Sequence, residues 1–349
     1  MSELSPPAPS RGGFRLPPDL LVGCVAAVAA LLLLLGGLAL AGYPPDAVVT
    51  TAWKGIAGSP TRVAILLQEA TPLLLTGLAA GIAFRCGVLN IGLEGQYLLG
   101  AVAAVAVLTS GPAGWPMPWL ATLVGAAAGA AWCAVAVALE RGRGVPLVLS
   151  TILLNVIALH LVGALVQGPL HDPTTSAPQS ALVPEASRLL PLVTGTALTL
   201  AAPLAVGLAL CAWLVQTRTV LGFELTVTGL NPLAAGLAGI PVESRALSMA
   251  VASGALAGSA GALQVAGVSY FLSDMPTSYG YAGIAVALLG RLHPLGLIPA
   301  ALFFAGLDLG SRQLERRLEV PHDLGEVAKG LAVGIVLLAG LLTARRSRP

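Results

Sequence analysis

Residues 20–42 read LLVGCVAAVAALLLLLGGLALAG, an apolar run of about 23 residues that contains no charged side chain. A helix of about 20 apolar residues crosses a bilayer, whereas the core of a cleaved signal peptide has only about 7–15. No small-residue cleavage motif stands out in this run. We therefore interpret it as a retained first transmembrane helix, preceded by a disordered cytoplasmic tail at residues 1–18.

The composition extends this interpretation to the whole chain. Of the 349 residues, 56% are hydrophobic and 10% are charged, whereas about 25% of the residues of a soluble protein are charged. So little polar surface excludes a soluble enzyme, a nucleic-acid-binding protein and a disordered chain. It predicts an all-α, polytopic bundle of transmembrane helices, and the 42 glycines suit close helix packing in lipid.

Ten apolar segments are candidate membrane spans. The segment at 279–289 is too short to cross alone at about 1.5 Å per residue, so we interpret it as a half-helix. Residues 19–344 then form one membrane domain, followed by a short tail at 345–349. The ten segments are 20–42, 63–84, 94–110, 118–139, 147–166, 192–215, 245–268, 279–289, 293–310 and 325–343.

The distribution of arginine predicts the orientation, because short cytoplasmic loops are enriched in lysine and arginine. If the segment at 279–289 does not cross, the loop at 311–324 moves inside and the C-terminus moves outside with its three arginines. We adopt ten crossings, which place both termini in the cytoplasm. The cytoplasmic segments then contain Arg85, Arg141, Arg143, Arg218, Arg245, Arg291 and three C-terminal arginines. A second group, at residues 312–317, falls on the opposite side and violates the rule.

Residues 85–96 read RCGVLNIGLEGQ, and their three glycines predict an irregular turn before the third helix. One interpretation places this turn beside a translocation path or its gate, because carboxylates at membrane depth usually face a cavity or a partner. The residues concerned are Asn90, Glu94 and Gln96. The alternative is structural: Asn90 caps the helix and Glu94 favours its positive N-terminal end.

Residues 229–240 read GLNPLAAGLAGI and lie in a long cytoplasmic connection at 216–244. Asn231 is a good N-cap, Pro232 suits the first turn, and Gly239 can end a short helix in a left-handed conformation. Such a helix either docks another protein, lies on the membrane surface, or simply connects two spans. The residues assigned to it are Gly229, Asn231, Pro232, Ala234, Ala235, Gly239 and Ile240.

Few other residues suggest chemistry. Asn155 lies inside a span and either lines a path or bonds across helices; we adopt the path as a hypothesis. The cysteines and histidines lack the spacing of a metal site or a disulfide framework, and no P-loop, zinc or serine-hydrolase motif occurs. The missing P-loop excludes nucleotide hydrolysis by that route, and we expect no catalytic residue, no metal and no cofactor on this chain.

The segment AFRCGVLNIGLEGQ at 83–96 resembles the pattern AFRxGxxNIGxEGQ of bacterial ABC transporter permeases for nucleosides and simple sugars, which are grouped with branched-chain amino acid and ribose permeases. Further similar segments follow in the same order, so the resemblance covers about residues 80–290. Cys86, where alanine is usual, and Thr226–Thr228, where a basic residue is frequent, depart from the pattern. The further segments are STILLNVIA at 150–158, GPLHDP at 168–173, LGFEL at 221–225, and GYAGIAVALLGR at 280–291.

The resemblance implies a subunit of an ATP-driven importer in the bacterial cytoplasmic membrane. Its implied partners are an ABC ATPase that binds the ATP, a second homologous permease in a pseudo-symmetric heterodimer, an extracytoplasmic solute-binding lipoprotein, and membrane lipid. The helix at 229–240 would be the coupling helix that docks on the ATPase. The NIGxEGQ and GPLxDP versions of two motifs favour nucleosides over simple sugars.

Two other classes of membrane protein remain as alternatives. A secondary transporter would use Glu94 or Asp308 as an ion-coupling carboxylate, and its uptake would depend on an ion gradient. A multi-pass enzyme would need clustered histidine, aspartate, serine or lysine at the membrane interfaces, and the sequence has no such cluster.

Overall fold

The computed structural model describes residues 18–193, 195–196, 198–273 and 278–321, with isolated positions at 327, 330, 331, 334 and 335. In this part of the chain there are twelve α-helices and isolated β-bridges but no strand. The helices are α1 (Pro18–Leu40), α2 (Pro45–Ala57), α3 (Pro60–Arg85), α4 (Leu93–Ser110), α5 (Met117–Arg143), α6 (Leu147–Gln167), α7 (Ala201–Arg218), α8 (Val220–Leu230), α9 (Pro232–Leu237), α10 (Val242–Gln264), α11 (Tyr279–Leu289) and α12 (Pro294–Leu318).

The all-α transmembrane bundle is confirmed. Seven of the described helices are long and apolar enough to cross a membrane: α3, α4, α5, α6, α7, α10 and α12. Local sequence signals set their ends. The Ser59 hydroxyl accepts a hydrogen bond from the Arg62 N–H and caps α3, and Gly144 ends α5 with a left-handed φ of 69°.

Some predicted boundaries were wrong. The span predicted at 192–215 begins only at Ala201, because the preceding residues fold into a turn in which the Leu192 N–H donates to Leu198 O. The connection predicted at 216–244 is largely helical and forms α8 and α9. Helix α2 was not predicted; it carries Asp46 and Lys54 and is amphipathic rather than uniformly apolar. The predicted span 325–343 lies almost entirely outside the described residues.

Helix α10 occupies the centre of the bundle and packs on α3, α4 and α5. Its crossing with α5 is made by two glycines from each helix. A Cβ on Gly258 would collide with the Gly125 carbonyl oxygen and lie 2.9 Å from Gly129 Cα. Gly254 meets Gly129 in the same way. The two helices therefore touch backbone to backbone, which explains the G-x-x-x-G spacing in both sequences.

One end of the bundle, here called the Arg85 end, collects the end of α3, the starts of α6 and α10, and the helices α8 and α9. Arg85 Nε donates to Thr226 Oγ1 at 3.4 Å, and Arg245 pairs with Glu224 at 2.6 Å. Arg141 pairs with Glu243 at 3.0 Å. These three arginine contacts join the ends of α3 and α5 and the start of α10 to one another or to α8.

At the opposite end, the loop between α6 and α7 is pinned to the chain that follows α10. The Ser180 N–H donates to Leu272 O, and the Val183 N–H donates to Tyr270 O. In the exposed part of this loop the Thr174 hydroxyl and N–H both donate to Asp172 Oδ1, and these bonds hold the pKa of that carboxyl below its usual range.

We predict that Gly258→Ala lowers the free energy of unfolding by about 1–3 kcal/mol, because the added methyl group overpacks a contact between two backbones. Thermal unfolding of the purified protein in detergent measures this loss. Gly306→Ala is the matched control, since a Cβ there lies 3.9 Å from its nearest neighbours. Equal melting temperatures for the two variants would contradict the proposed packing.

Candidate functional site

The irregular segment before α4 is organised by Asn90. Its Nδ2 donates to Gln96 Oε1 at 2.9 Å and to Ser253 Oγ at 3.1 Å, while its Oδ1 accepts from Gln96 Nε2 and from the Gly92 N–H. Both amide side chains are buried, with 0% and 1% of their surface exposed. Asn90 does not cap α4, because the Gly92 N–H that it binds directly precedes the first residue of the helix, Leu93. It folds the turn and ties that turn to α10.

Glu94 belongs to α4, but its carboxylate binds the N-terminus of another helix, α11. Its Oε1 accepts from the Ser278 N–H at 2.9 Å and its Oε2 accepts from the Gly280 N–H at 2.7 Å. The first N–H groups of a helix lack partners within that helix, so Glu94 caps the N-terminus of α11 across the bundle. Gly280 permits this approach, because a Cβ there would collide with the Glu94 backbone.

Asn155 lies on α6 and joins the same cluster. Its Oδ1 accepts from the Gly95 N–H at 2.8 Å, and its Nδ2 donates to Ile91 O at 2.9 Å and to Tyr281 Oη at 3.2 Å. It is only 2% exposed. The structure therefore brings Asn90, Glu94, Gln96 and Asn155 together at the meeting point of α4, α6, α10 and α11, and it buries all four.

The cluster lies well inside the bundle. Thr76 Oγ1 donates to Tyr279 O at 3.0 Å, and Thr76 precedes Arg85 by nine residues of α3, about 14 Å along the helix. Ser253 follows Val242 by eleven residues of α10, or about 16 Å. Measured from the Arg85 end, both distances come close to half of a hydrocarbon core of about 30 Å.

Helix α11 is a half-helix, as its length predicted. It begins at this depth beside Thr76 and packs along α3, where a Cβ on Gly77 would lie 2.8 Å from Val286 Cγ1. Its C-terminal Gly290 packs against Gly296 of α12. Eleven residues are sufficient to reach the Arg85 end from mid-depth but not to cross the bundle.

Two tyrosines were missed by sequence reasoning. The Tyr279 hydroxyl donates to Glu69 Oε2 at 2.9 Å, and its ring lies 5.7 Å from that of Tyr97. Tyr281 meets Asn155 and is 47% exposed. Tyr281 belongs to the segment GYAGIAVALLGR at 280–291, and Tyr279 directly precedes that segment. The signal that could have found them is an aromatic pair at the start of a helix too short to cross.

The second predicted site is a short helix at the Arg85 end. Asn231 Oδ1 accepts from the Ala234 N–H at 3.0 Å, Pro232 occupies the first turn of α9, and Gly239 has a φ of 81°. The Ile240 N–H donates to Ala235 O, which closes the C-terminal turn. The capping geometry predicted for this helix is therefore confirmed.

Helix α9 presents an apolar face away from the bundle. Ala235 is buried, whereas Leu233 and Leu237 are 76% and 84% exposed. The chain before it is fixed to α3, because a Cβ on Gly229 would collide with the Arg85 carbonyl oxygen. Helix α9 thus exposes an apolar face, and the chain that leads into it is held against the end of α3.

Within the described residues, no group of three His, Cys, Asp or Glu could hold a metal ion. The described cysteines are unpaired; Cys86 and Cys133 are buried and Cys211 is exposed.

Comparisons with known proteins agree with this architecture. Guanosine ABC transporter permease protein NupP of Bacillus subtilis (strain 168) is 34% identical over 322 residues, covering 90% of this chain and 89% of NupP. Glucose ABC transporter permease protein TsgB13 of Haloferax volcanii is 35% identical, covering 77% of this chain and 74% of its own. Nucleoside ABC transporter permease protein NupB of Lactococcus lactis subsp. cremoris is 31% identical, covering 73% of each chain.

No solved structure is significantly similar to this chain. The sequence profile of the family described as "Branched-chain amino acid transport system / permease component" matches residues 62–341. This range extends from the first turn of α3 to beyond α12. It contains the buried polar cluster and the exposed helix α9. The chain therefore belongs to this permease family, and it is a multi-pass membrane subunit of the ABC transporter type.

Proposed function

We propose that this chain carries nucleosides across a bacterial cytoplasmic membrane as one permease of an ATP-driven importer. The observation that carries the proposal is its similarity to the guanosine permease NupP over nine-tenths of the chain. The low charge of the spans agrees with a neutral polar solute, because such a path needs few charged groups.

Transport of a simple sugar is the second candidate. The glucose permease TsgB13 is as similar to this chain as NupP is, although over a shorter region. Both candidates need the same fold and the same ATPase, so the difference between them lies in the solute that the complete importer accepts.

The ATPase is proposed to dock on α9. Two exposed leucines, Leu233 and Leu237, form an apolar face on a helix too short to anchor itself in a bilayer. Such a face is suited to a hydrophobic groove in a partner. ATP would bind entirely on that partner, and no cofactor is proposed for this chain.

Docking of the ATPase on α9 would determine the orientation of the chain in the membrane. The Arg85 end would be cytoplasmic, with both termini on the same side, which agrees with the arginines that surround α8 and α9. A solute-binding lipoprotein would then dock at the opposite end, where the α6–α7 loop is pinned to the chain after α10.

The proposed mechanism is alternating access between this chain and a second, homologous permease. Closure of two ATPase subunits would move the α9 helices, and the pair of permeases would change from inward-facing to outward-facing. ATP can drive this change only if the ATPase binds the two conformations with different affinity. The cluster around Asn90, Glu94, Gln96 and Asn155 is proposed to lie beside the path or its gate.

Uptake by the complete importer tests the proposed function. We expect proteoliposomes that contain this chain, the second permease and the ATPase to accumulate radiolabelled guanosine when the binding lipoprotein and ATP are supplied. Glucose in excess should not compete. Uptake of radiolabelled glucose but not of guanosine would favour the sugar permease, and uptake driven by an ion gradient without ATP would favour a secondary transporter.

A single substitution tests the docking helix. We predict that Leu237→Asp abolishes co-purification of the ATPase, because it places a charge in an apolar contact, while membrane insertion is unchanged. The matched control is Leu190→Asp, which alters a leucine that is 75% exposed at the opposite end of the bundle. An ATPase that still co-purifies with the Leu237→Asp variant in normal yield would show that α9 is not the docking site.

A further inference from the structure

We propose that Tyr281 contacts the base of the transported nucleoside, and that Asn155 is a positioning residue that holds the tyrosine ring for this contact. The inference rests on the proposed function and adds the side chain that meets the solute. It also assigns Asn155 a role different from the one expected from sequence, since Asn155 acts through Tyr281 instead of lining the path itself.

Tyr281 is the exposed member of an otherwise buried cluster. Asn90, Glu94, Gln96 and Asn155 have between 0% and 4% of their surface exposed, whereas Tyr281 has 47%. A solute at the surface of this chain would therefore touch the tyrosine ring and not the amides or the carboxylate behind it.

The depth of Tyr281 matches that of a transport site. It follows Tyr279 by two residues, and Tyr279 lies beside Thr76, about 14 Å from the Arg85 end. The non-helical segment at 90–92 lies at the same depth. Non-helical backbone at this level is tolerated only where protein buries it or where it lines a cavity. Broken helices that meet near the midplane are where many transporters bind their substrates.

Two sets of hydrogen bonds hold the ring in place. The Tyr281 hydroxyl bonds to Asn155 Nδ2 at 3.2 Å, and Asn155 is itself fixed by the Gly95 N–H and by Ile91 O. The backbone directly before Tyr281 is held by the bond from the Gly280 N–H to Glu94 Oε2. Since both ends of the side chain are anchored, the ring face is presented in one orientation.

A fixed aromatic ring suits a nucleobase. Every base has a flat π-face that stacks on an aromatic side chain with little dependence on base identity. The ring requires no charge on the solute, which agrees with the scarcity of charged residues in the spans. Tyr281 would therefore provide affinity for nucleosides as a class.

Kinetics of guanosine uptake by the complete importer test this role. We expect Tyr281→Ala to raise the apparent KM about tenfold, because base stacking on an aromatic ring contributes on this order. Tyr281→Phe, which keeps an aromatic ring but lacks the hydroxyl, should raise the apparent KM only about threefold. If the wild-type importer accumulates guanosine and the Tyr281→Ala importer has the same KM, the inference fails while the proposed function stands. If the wild type accumulates no guanosine, the proposed function itself fails.

Chemical labelling distinguishes a solute path from a lipid-facing surface. In a chain whose native cysteines are replaced, we expect Tyr281→Cys to react with a membrane-impermeant thiol reagent and guanosine to slow the reaction. Leu123→Cys on α5 is the control, because Leu123 is 69% exposed and does not belong to the cluster. If Tyr281→Cys is as unreactive as this control, the ring faces lipid and the inference is wrong.

The role of Asn155 is tested by a double-mutant cycle. Tyr281→Phe removes only the hydroxyl that Asn155 holds, so we expect Tyr281→Phe and Asn155→Ala each to raise KM about threefold, and the double variant to be no worse than either. A purely structural Asn155 would lower the amount of inserted protein and leave KM unchanged. Additive effects would show that Asn155 acts independently of Tyr281. If Asn155→Ala fails to insert, Asn155→Asp replaces it in the cycle.

Discussion

The structure depends on a constraint imposed by the bilayer: backbone N–H and C=O groups inside it must find partners within the protein, because no water is available there. Two stretches of backbone break the helical pattern at mid-depth, one before α4 and one before α11. Glu94, in the first turn of α4, satisfies the second stretch: its carboxylate accepts hydrogen bonds from two backbone N–H groups at the start of α11. Asn90 and Asn155 bond to the backbone of the turn before α4: Asn90 accepts from the Gly92 N–H, and Asn155 donates to Ile91 O. The polar residues of this nearly uncharged chain are concentrated where the helices are interrupted.

The half-helix α11 and the proposed docking helix α9 are mechanically connected through α3. At one end of α3, the Arg85 carbonyl oxygen contacts Gly229, just before α9. Further along the same helix, Thr76 bonds to Tyr279 at the start of α11. A displacement of α9 would therefore be transmitted through α3 to the level of the polar cluster without passing through a flexible loop. This connection gives the proposed coupling a physical route.

Much of this fold could be predicted from sequence, because long apolar runs and capping residues are local signals. The runs gave α3 to α6 to within a few residues, and Asn231, Pro232 and Gly239 gave both ends of α9. Helix α2 was not predicted because its apolar face is interrupted by charge. The turn before α7 was not predicted because its residues are as apolar as those of the helix itself.

The site was predicted in composition but not in geometry. Asn90, Glu94, Gln96 and Asn155 were identified as unusual polar residues, yet the partner of Glu94 lies about 184 positions away in the chain. No local pattern reports a bond between helices so distant in sequence. Tyr281 gave only a weak signal, an aromatic pair with Tyr279 at the start of a helix too short to cross, and its role depends on neighbours that are distant in the sequence.

The glycine contacts between α5 and α10 also limit how this subunit can change shape. Side chains that interlock can exchange one packing arrangement for another, and this is how helices slide past each other in many switching proteins. Here the contact is largely main chain on main chain, with Gly258 against the Gly125 carbonyl oxygen, and the side chains beside it are as small as those of Ala262 and Cys133. We therefore expect the block of α4, α5 and α10 to move as one rigid body. A transport cycle built on such a block works by tilting whole subunits against each other, with the deformation confined to their boundary.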